Sequence, residues 1–282
     1  MDGSGYDYWR QTRPLISKTI EAIDDRMTLA AYFISDAHLG AKAPDAEERE
    51  AKLIAFFENI THKASQLFIM GDLFDFWIEY RHAIRPDYFH VLYELRRLKK
   101  QGIEIHYLAG NHDFALGAFL SEKLGIAVHP SGCLNLTLQG KTVYLSHGDG
   151  LMPSDHGYRV LKKVLRNPLC QRIYKTLHPN WGIPLAEVFS RTSRDQISFR
   201  SRESERNAYR QVAKDMLKEG PDIVVFGHTH YPEMRSWNGK IYCNTGDWIQ
   251  YFTYAVLENG EIRLKKFGSD DQNFDVLPFP PD

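Results

Sequence analysis

Cysteine is scarce in this chain of 282 residues: there are three, Cys133, Cys170 and Cys243, far apart and without a CxxC pair. That scarcity excludes a disulfide framework and a thiolate zinc site, and it suits a reducing compartment. Net charge is nearly absent too, with 35 Lys and Arg against 36 Asp and Glu. No global basic field points to nucleic acid, and no acidic excess to disorder. No apolar run approaches the roughly 20 residues of a membrane-spanning helix. The opening stretch MDGSGYDYWRQTRPL mixes charges and lacks the apolar core of a secretory signal. Internal repeats and low-complexity tracts are missing as well. What remains, 43% hydrophobic and 25% charged, leads to the expectation of a soluble, globular, cytoplasmic protein.

Short apolar runs punctuate the chain: LAAYFIS (29–35), QLFIM (66–70), IEIHYLA (103–109), TVYLS (142–146) and DIVVFG (222–227), each suited to a buried strand. Helical patterns near 45–60 and 86–101 fall between the first three, and such alternation implies an α/β architecture with a parallel or mixed sheet. KIYCNT (240–245), TYAVLE (253–258) and EIRLKKF (261–267), with a turn at Asn259-Gly260, add strands in a meander. Residues 1–27 form an extension of no assigned function, in which Leu15, Ile16, Thr19, Ile20 and Ile23 have the spacing of a short amphipathic helix. Residues 269–282 read as an irregular tail. Residues 151–219 break the alternation with helical patterns and no good strand, as an insertion over the sheet's edge does. This insertion is locally basic, 13 Lys and Arg against 6 Asp and Glu over 151–215.

The residues that follow each buried strand carry the chemistry. They are Ser35-Asp36-Ala37-His38, Gly71-Asp72-Leu73-Phe74-Asp75, Gly110-Asn111-His112-Asp113, His147-Gly148-Asp149 and His228-Thr229-His230. In open α/β sheets ligands sit outside the carboxyl ends of strands, so the five clusters converge on one crevice. Together they offer oxygen and nitrogen donors and no sulfur, which suits Mn, Fe or Zn better than calcium. If Asp72 bridges, two ions about 3.5–4 Å apart clamp the attacking and leaving oxygens of an in-line phosphoryl displacement. Taken singly, each cluster reads as an ordinary turn, cap or polar loop. Five in succession, each with the right residue types, point to phosphoester hydrolysis.

The order D-x-H, GDxxD, GNHD, HGD and GHTH over residues 36–230 resembles the calcineurin-like dinuclear metallophosphoesterases. That resemblance implies an α/β fold, a four-layer αββα sandwich over 28–268 with the helical insertion as a lid. It also implies two divalent ions, Mn by preference with Fe or Zn as alternatives. Carried over residue by residue, it makes Asp36, His38, Asp72 and His230 ligands of one ion, and Asp72, Asn111, His147 and His228 ligands of the other. His112 falls at the position of the proton donor, Asp113 would orient it, and Asp75 is an outer partner of the site.

At finer grain FISDAHLG, GDLFDFW, HGDGLMPSDHGY, RNPLCQRIY, GHTH and NTGDW are similar to the UDP-2,3-diacylglucosamine diphosphatases of bacterial lipid A synthesis. The likeness implies a lipidated nucleotide-sugar substrate cleaved to UMP and 2,3-diacylglucosamine 1-phosphate, a peripheral place on the inner membrane, and no nucleic-acid partner. It carries over Asn111, His112, Asp155, Tyr158, Ser193, Arg200 and His228 as substrate contacts. Where many of those diphosphatases have Arg after the metal-binding Asn, this chain keeps His112. In the insertion Tyr158, Leu161, Val164, Leu165, Leu169, Ile173 and Leu177 recur at helical spacing beside Arg159, Lys162, Lys163, Arg166, Arg172 and Lys175. That pattern reads either as a lid meeting lipid or as a helical pair with a solvated basic face. Two other functions fit the scaffold: a phosphodiesterase or nucleotide phosphatase, which GNHD favours, and a non-catalytic binding scaffold, against which stands the complete ligand set.

Overall fold

The first strand, β1 (Ala30–Ile34), is buried at all five positions. Alternate side chains of a strand point to opposite faces, so such a strand needs a layer on each side. Tyr32 and Ile34 pack with Leu53, Phe56 and Leu95, which lie on helices. Ala31 and Phe33 pack instead with Leu145 and Val225, which belong to a second sheet. The computed structural model describes residues 30–152, 156–186, 202–268 and 272–280. The expected N-terminal helix around Leu15 to Ile23 lies outside them.

Among the described residues the chain runs β1, α1 (Ala46–Ile60), β2 (Ala64–Ile69), α2 (Phe89–Lys100), β3 (Glu104–Leu108), β4 (Ala127–His129), β5 (Cys133–Leu138) and β6 (Lys141–Ser146). The insertion supplies α3 (His156–Leu165), α4 (Pro168–Tyr174) and α5 (Arg202–Glu219). Then follow β7 (Ile223–Phe226), β8 (Glu233–Trp237), β9 (Lys240–Asn244), β10 (Thr253–Glu258), β11 (Glu261–Lys266) and β12 (Val276–Pro278). The two sheets run β11-β10-β1-β2-β3-β4 and β12-β8-β9-β7-β6-β5. Helices α1 and α2 cover the outer face of the first sheet, and α5 packs Tyr209, Ala213 and Met216 on the outer face of the second. This is the αββα sandwich. In α1 the buried Leu53, Phe56, Phe57 and Ile60 recur at the three- and four-residue spacing that puts them on one helical stripe.

The differences from the sequence reading have local causes. The expected meander is split between the sheets: β9 pairs with β7 and β8, whereas β10 crosses over to pair with β1 and β11. The β10–β11 hairpin turns at Asn259 and Gly260, both left-handed at φ 54° and 76°, as a two-residue hairpin requires. Strand β5 alternates buried Leu134, Leu136 and Leu138 with more exposed neighbours, and the tail is not wholly irregular, because β12 pairs in parallel with β8.

At the far edge of the first sheet His106 stacks on Phe68, ring centroids 4.8 Å apart, and its Nδ1 lies 3.1 Å from Nε2 of His129. Burial, reinforced by His129, pushes its pKa down to about 4. The unfolded imidazole therefore takes up a proton before the folded one does. Stability from neutral His106 is complete above about pH 6.5 and is lost as pH falls toward 4. Thermal melts across that window are expected to show a falling midpoint, with a shallower slope in His106→Gln.

Candidate metal centre

The five strand-end clusters meet. Strands β1, β2 and β3 run parallel, as do β6 and β7, so their carboxyl ends deliver residues to one end of the sandwich. The loops bend sharply there. Asp36, His38, Asp72, His228 and His230 all have left-handed backbones, with φ of 55°, 47°, 54°, 67° and 57°. For non-glycine residues that conformation costs about 1 kcal/mol or more each and persists where the surroundings enforce it, typically at functional sites. Here the enforcement is hydrogen bonding between loops: Asp36 N–H donates to Gly71 O at 3.2 Å, and His38 N–H to Asp72 O at 3.0 Å. Gly71 must be glycine, because a Cβ there would lie 2.7 Å from His147 Nδ1 and 2.8 Å from Gly110 Cα.

Each histidine is aimed by the nitrogen it turns outward. His147 Nδ1 lies 2.8 Å from Met70 O; a carbonyl only accepts, so Nδ1 carries a proton and Nε2 faces the site. That Nε2 is 2.9 Å from Asn111 Oδ1 and 3.3 Å from Asp72 Oδ2. His38 turns Nδ1 to the Asp75 carboxylate at 3.6 Å and Nε2 toward Asp36 and Asp72, at 3.9 and 3.8 Å. His230 turns Nδ1 to Asp247 at 3.4 Å and Nε2 to Asp36 at 3.5 Å. His228 uses its other edge, with Nδ1 3.0 Å from Asn111 Oδ1. The donor atoms of Asp36, His38 and His230 lie within 4.8 Å of one another, as do those of Asp36, Asp72 and His147, and those of His38, Asp72 and His112.

These residues fit cations. Asp36 Oδ1 and both ring nitrogens of His38 are buried without a hydrogen-bond partner, a costly state that a bound ion relieves. Charge tells the same story. Burial alone would depress His38 and His147, yet the neighbouring carboxylates of Asp36, Asp75 and Asp72 carry His38 up to about 10, and Asp72 and Asp36 carry His147 equally high. Against burial, His230, His38 and His147 in turn bring Asp36 down to about 2. Binding of metal ions among these groups would displace the protons they now hold.

His112 joins this cluster at its edge. Its Nδ1 lies 3.0 Å from Asp75 O, and its backbone N–H donates to Asp72 Oδ1 at 2.9 Å. Burial lowers its pKa, so the ring is neutral with Nε2 toward the site. The Asp113 carboxylate accepts from the Tyr107 hydroxyl, from Gly110 N–H at 2.9 Å and from Phe74 N–H at 3.4 Å. It braces the loop, and the carbonyl of Asp75 holds the imidazole. Two acids received no role from the sequence alone. Asp247, in NTGDW, accepts N–H bonds from Ile249, Gln250 and Tyr251 at 3.2, 2.9 and 2.9 Å and faces His230. Asp149, in HGD, accepts from the Tyr158 hydroxyl at 2.6 Å and pairs with Lys162 at 2.6 Å. Both follow a glycine after a strand, the same signal that marked Asp72.

Asp155, Ser193 and Arg200 lie outside the described residues. Among the described residues the insertion is inside out. On α3 and just past its end, Tyr158, Arg159, Lys162 and Arg166 turn inward: Arg159 donates to Met152 O at 2.7 Å, Lys162 to Asp149, and Arg166 to Pro130 O at 2.7 Å and Gly110 O at 3.1 Å. The basic flank is therefore partly spent on the loops of the site. Val160, Leu161, Val164 and Leu165 face outward, and Leu169, Ile173 and Trp181 continue the exposed apolar surface, Trp181 being 75% exposed. Helix α4 starts at RNPL because Asn167 Oδ1 caps Leu169 N–H at 2.8 Å and Pro168 occupies the first turn.

Comparison with known proteins agrees with this geometry. The family model for calcineurin-like phosphoesterases matches residues 30–232. A UDP-2,3-diacylglucosamine hydrolase of Porphyromonas gingivalis is 35% identical over 252 residues, covering 83% of this chain and 96% of that protein. One of Pseudomonas putida is 32% identical over 246 residues, 87% of this chain and 97% of that protein. A third, of Neisseria meningitidis, is 29% identical over 242 residues, 84% and 99% respectively. With a His and Asp centre fed by both sheets of an αββα sandwich, the chain belongs to the calcineurin-like phosphoesterases and is a metal-dependent hydrolase.

Proposed function

We propose that the chain hydrolyses the pyrophosphate of UDP-2,3-diacylglucosamine, releasing UMP and 2,3-diacylglucosamine 1-phosphate for lipid A synthesis. The observation that carries this reading is the inverted helix α3, which binds the metal-site loops by its polar face and leaves Val160, Leu161, Val164 and Leu165 outside. A soluble substrate needs no such surface; an acylated one does. Asp36, His38, Asp72 and His230 would hold one ion, and Asp72, Asn111, His147 and His228 the other. Bound divalent ions, Mn by preference, supply Lewis-acid stabilisation and an acidified water near neutral pH. His112, held by Asp75 O, stands beside the leaving oxygen, and Tyr158 stays tied to Asp149 at the edge where the sugar enters.

No helix among the described residues is long and apolar enough to cross a membrane. The apolar face of α3 and α4 instead lies on the cytoplasmic surface of the inner membrane and around the acyl chains. UMP release from purified substrate with Mn²⁺ tests the reading directly, and its absence would overturn it. Leu161→Glu and Ile173→Glu probe the surface separately. Each buried aliphatic side chain is worth about 1.5–3 kcal/mol, so turnover of the lipidated substrate is expected to fall roughly tenfold or more. Bis(p-nitrophenyl) phosphate, which has no acyl chain, should be cleaved at an unchanged rate. His112 favours a second reading, a phosphodiesterase on the same scaffold. Better turnover of phosphodiesters than of the lipid would select it.

A further inference from the structure

A cavity of about 380 Å³ opens beside His38. It lies at the β1 side of the first sheet, two strands from β3, whose loop Arg166 of the insertion clasps. Its wall is the backbone from Ala37 to Ala43, the first turns of α1 and the pair Arg85–Asp87, joined at 2.6 Å. The small residues Ala37, Ala41, Ala43 and Ala46 line it together with Leu39, leaving room for a ring.

Among the atoms of that wall that are buried without a hydrogen-bond partner are Arg49 Nε, a donor, and Glu50 Oε1, an acceptor. Arg49 is 7% exposed, and its Nη2 donates to Asp45 at 2.8 Å. The N-terminus of α1 has no side-chain cap, so the positive end of its dipole also borders the cavity. An unmet donor and an unmet acceptor lining one space of ligand size call for an occupant that offers both.

We infer that this cavity seats the nucleoside half of the substrate, an inference that rests on the proposed nucleotide-lipid chemistry. A uracil ring presents carbonyl oxygens flanking an imide N–H, and ribose adds hydroxyls. Arg49 Nε–H donates to a carbonyl or ribose oxygen, and Glu50 Oε1 accepts from the imide or a hydroxyl. The nucleoside then lies on the β1 side and the lipid on the insertion side, with the pyrophosphate between them over the metal ligands.

Calorimetric titration of the Mn²⁺-equilibrated protein with UMP and with inorganic phosphate tests this, since both offer a phosphate and only UMP offers a nucleoside. UMP is expected to bind about tenfold or more tighter than phosphate. Ala46→Phe, which fills the cavity without touching a metal ligand, and Arg49→Met should each abolish that advantage while leaving the phosphate affinity within about twofold. An unchanged phosphate affinity and melting midpoint show that a variant is folded. UMP no tighter than phosphate in the unsubstituted protein, or a UMP advantage that survives Ala46→Phe, would overturn the inference. The substrate reading fails by a different sign: cavity-dependent UMP binding with no UMP released from UDP-2,3-diacylglucosamine.

Discussion

Replacing Asp72 with alanine is expected to cut UMP release by about a thousandfold or more and to lower the bound Mn²⁺ measured by elemental analysis. Asp72 is 1% exposed and belongs to two of the three donor groups, one through His38 and one through His147. Its Oδ1 also receives the His112 N–H at 2.9 Å, so it holds the GNHD loop as well as the ligand sets. Removing it therefore loosens both halves of the centre at once. Asp72→Asn separates these duties, because the amide oxygen can still accept the His112 N–H while the negative charge is gone. Equal loss in Asn and Ala variants assigns the effect to charge and coordination; activity retained in Asn assigns it to the loop. Either variant with its full complement of Mn²⁺ and full activity would refute a bridging role. His147→Ala, which touches only one ligand set, should lose less bound metal than Asp72→Ala.

The residues of the centre were legible because each lies within a few residues of the end of a buried strand, and the strands show as short apolar runs. Asp36 after AAYFI and His228 after IVVF needed no knowledge of their distant partners. The directions of the rings were not legible. Whether His147 offers Nδ1 or Nε2 depends on Met70 O, and whether His112 leans on Asp113 or Asp75 depends on where a loop from another strand passes. Periodicity grouped Leu161, Val164 and Leu165 on one face of the insertion but gave no sign of which face turns inward. The inward choice is made by acceptors: Gly110 O, Pro130 O, Met152 O and the Asp149 carboxylate form a polar floor that only the face with Arg159, Lys162 and Arg166 can satisfy. The division of the last strands between the two sheets was hidden for a related reason. Strand β9 and the pair β10–β11 are adjacent in sequence, yet residues 245–252 carry the chain from one sheet to the other between them.

His112→Arg is expected to keep pyrophosphate cleavage within about tenfold while depressing phosphodiester cleavage by about a hundredfold or more. The two reactions differ in what leaves. A phosphate monoester with a second pKa near 6 departs from a pyrophosphate with little help, whereas an alkoxide leaves only with a proton. His112 as found is neutral, with Nδ1–H committed to Asp75 O and Nε2 facing the site, so in this state it has no proton to give from its inner edge. It can acquire one from solvent or substrate for alkoxide departure. For a phosphate leaving group its service is to place a dipole near developing charge, and a guanidinium does that at least as well. Arginine at 112 also keeps an N–H for the Asp75 carbonyl. His112→Ala removes both dipole and proton path, and both activities should then fall together. Measured with the lipidated nucleotide and bis(p-nitrophenyl) phosphate side by side, parallel loss in His112→Arg would assign His112 to proton transfer in both reactions. Divergence assigns it to charge in the first.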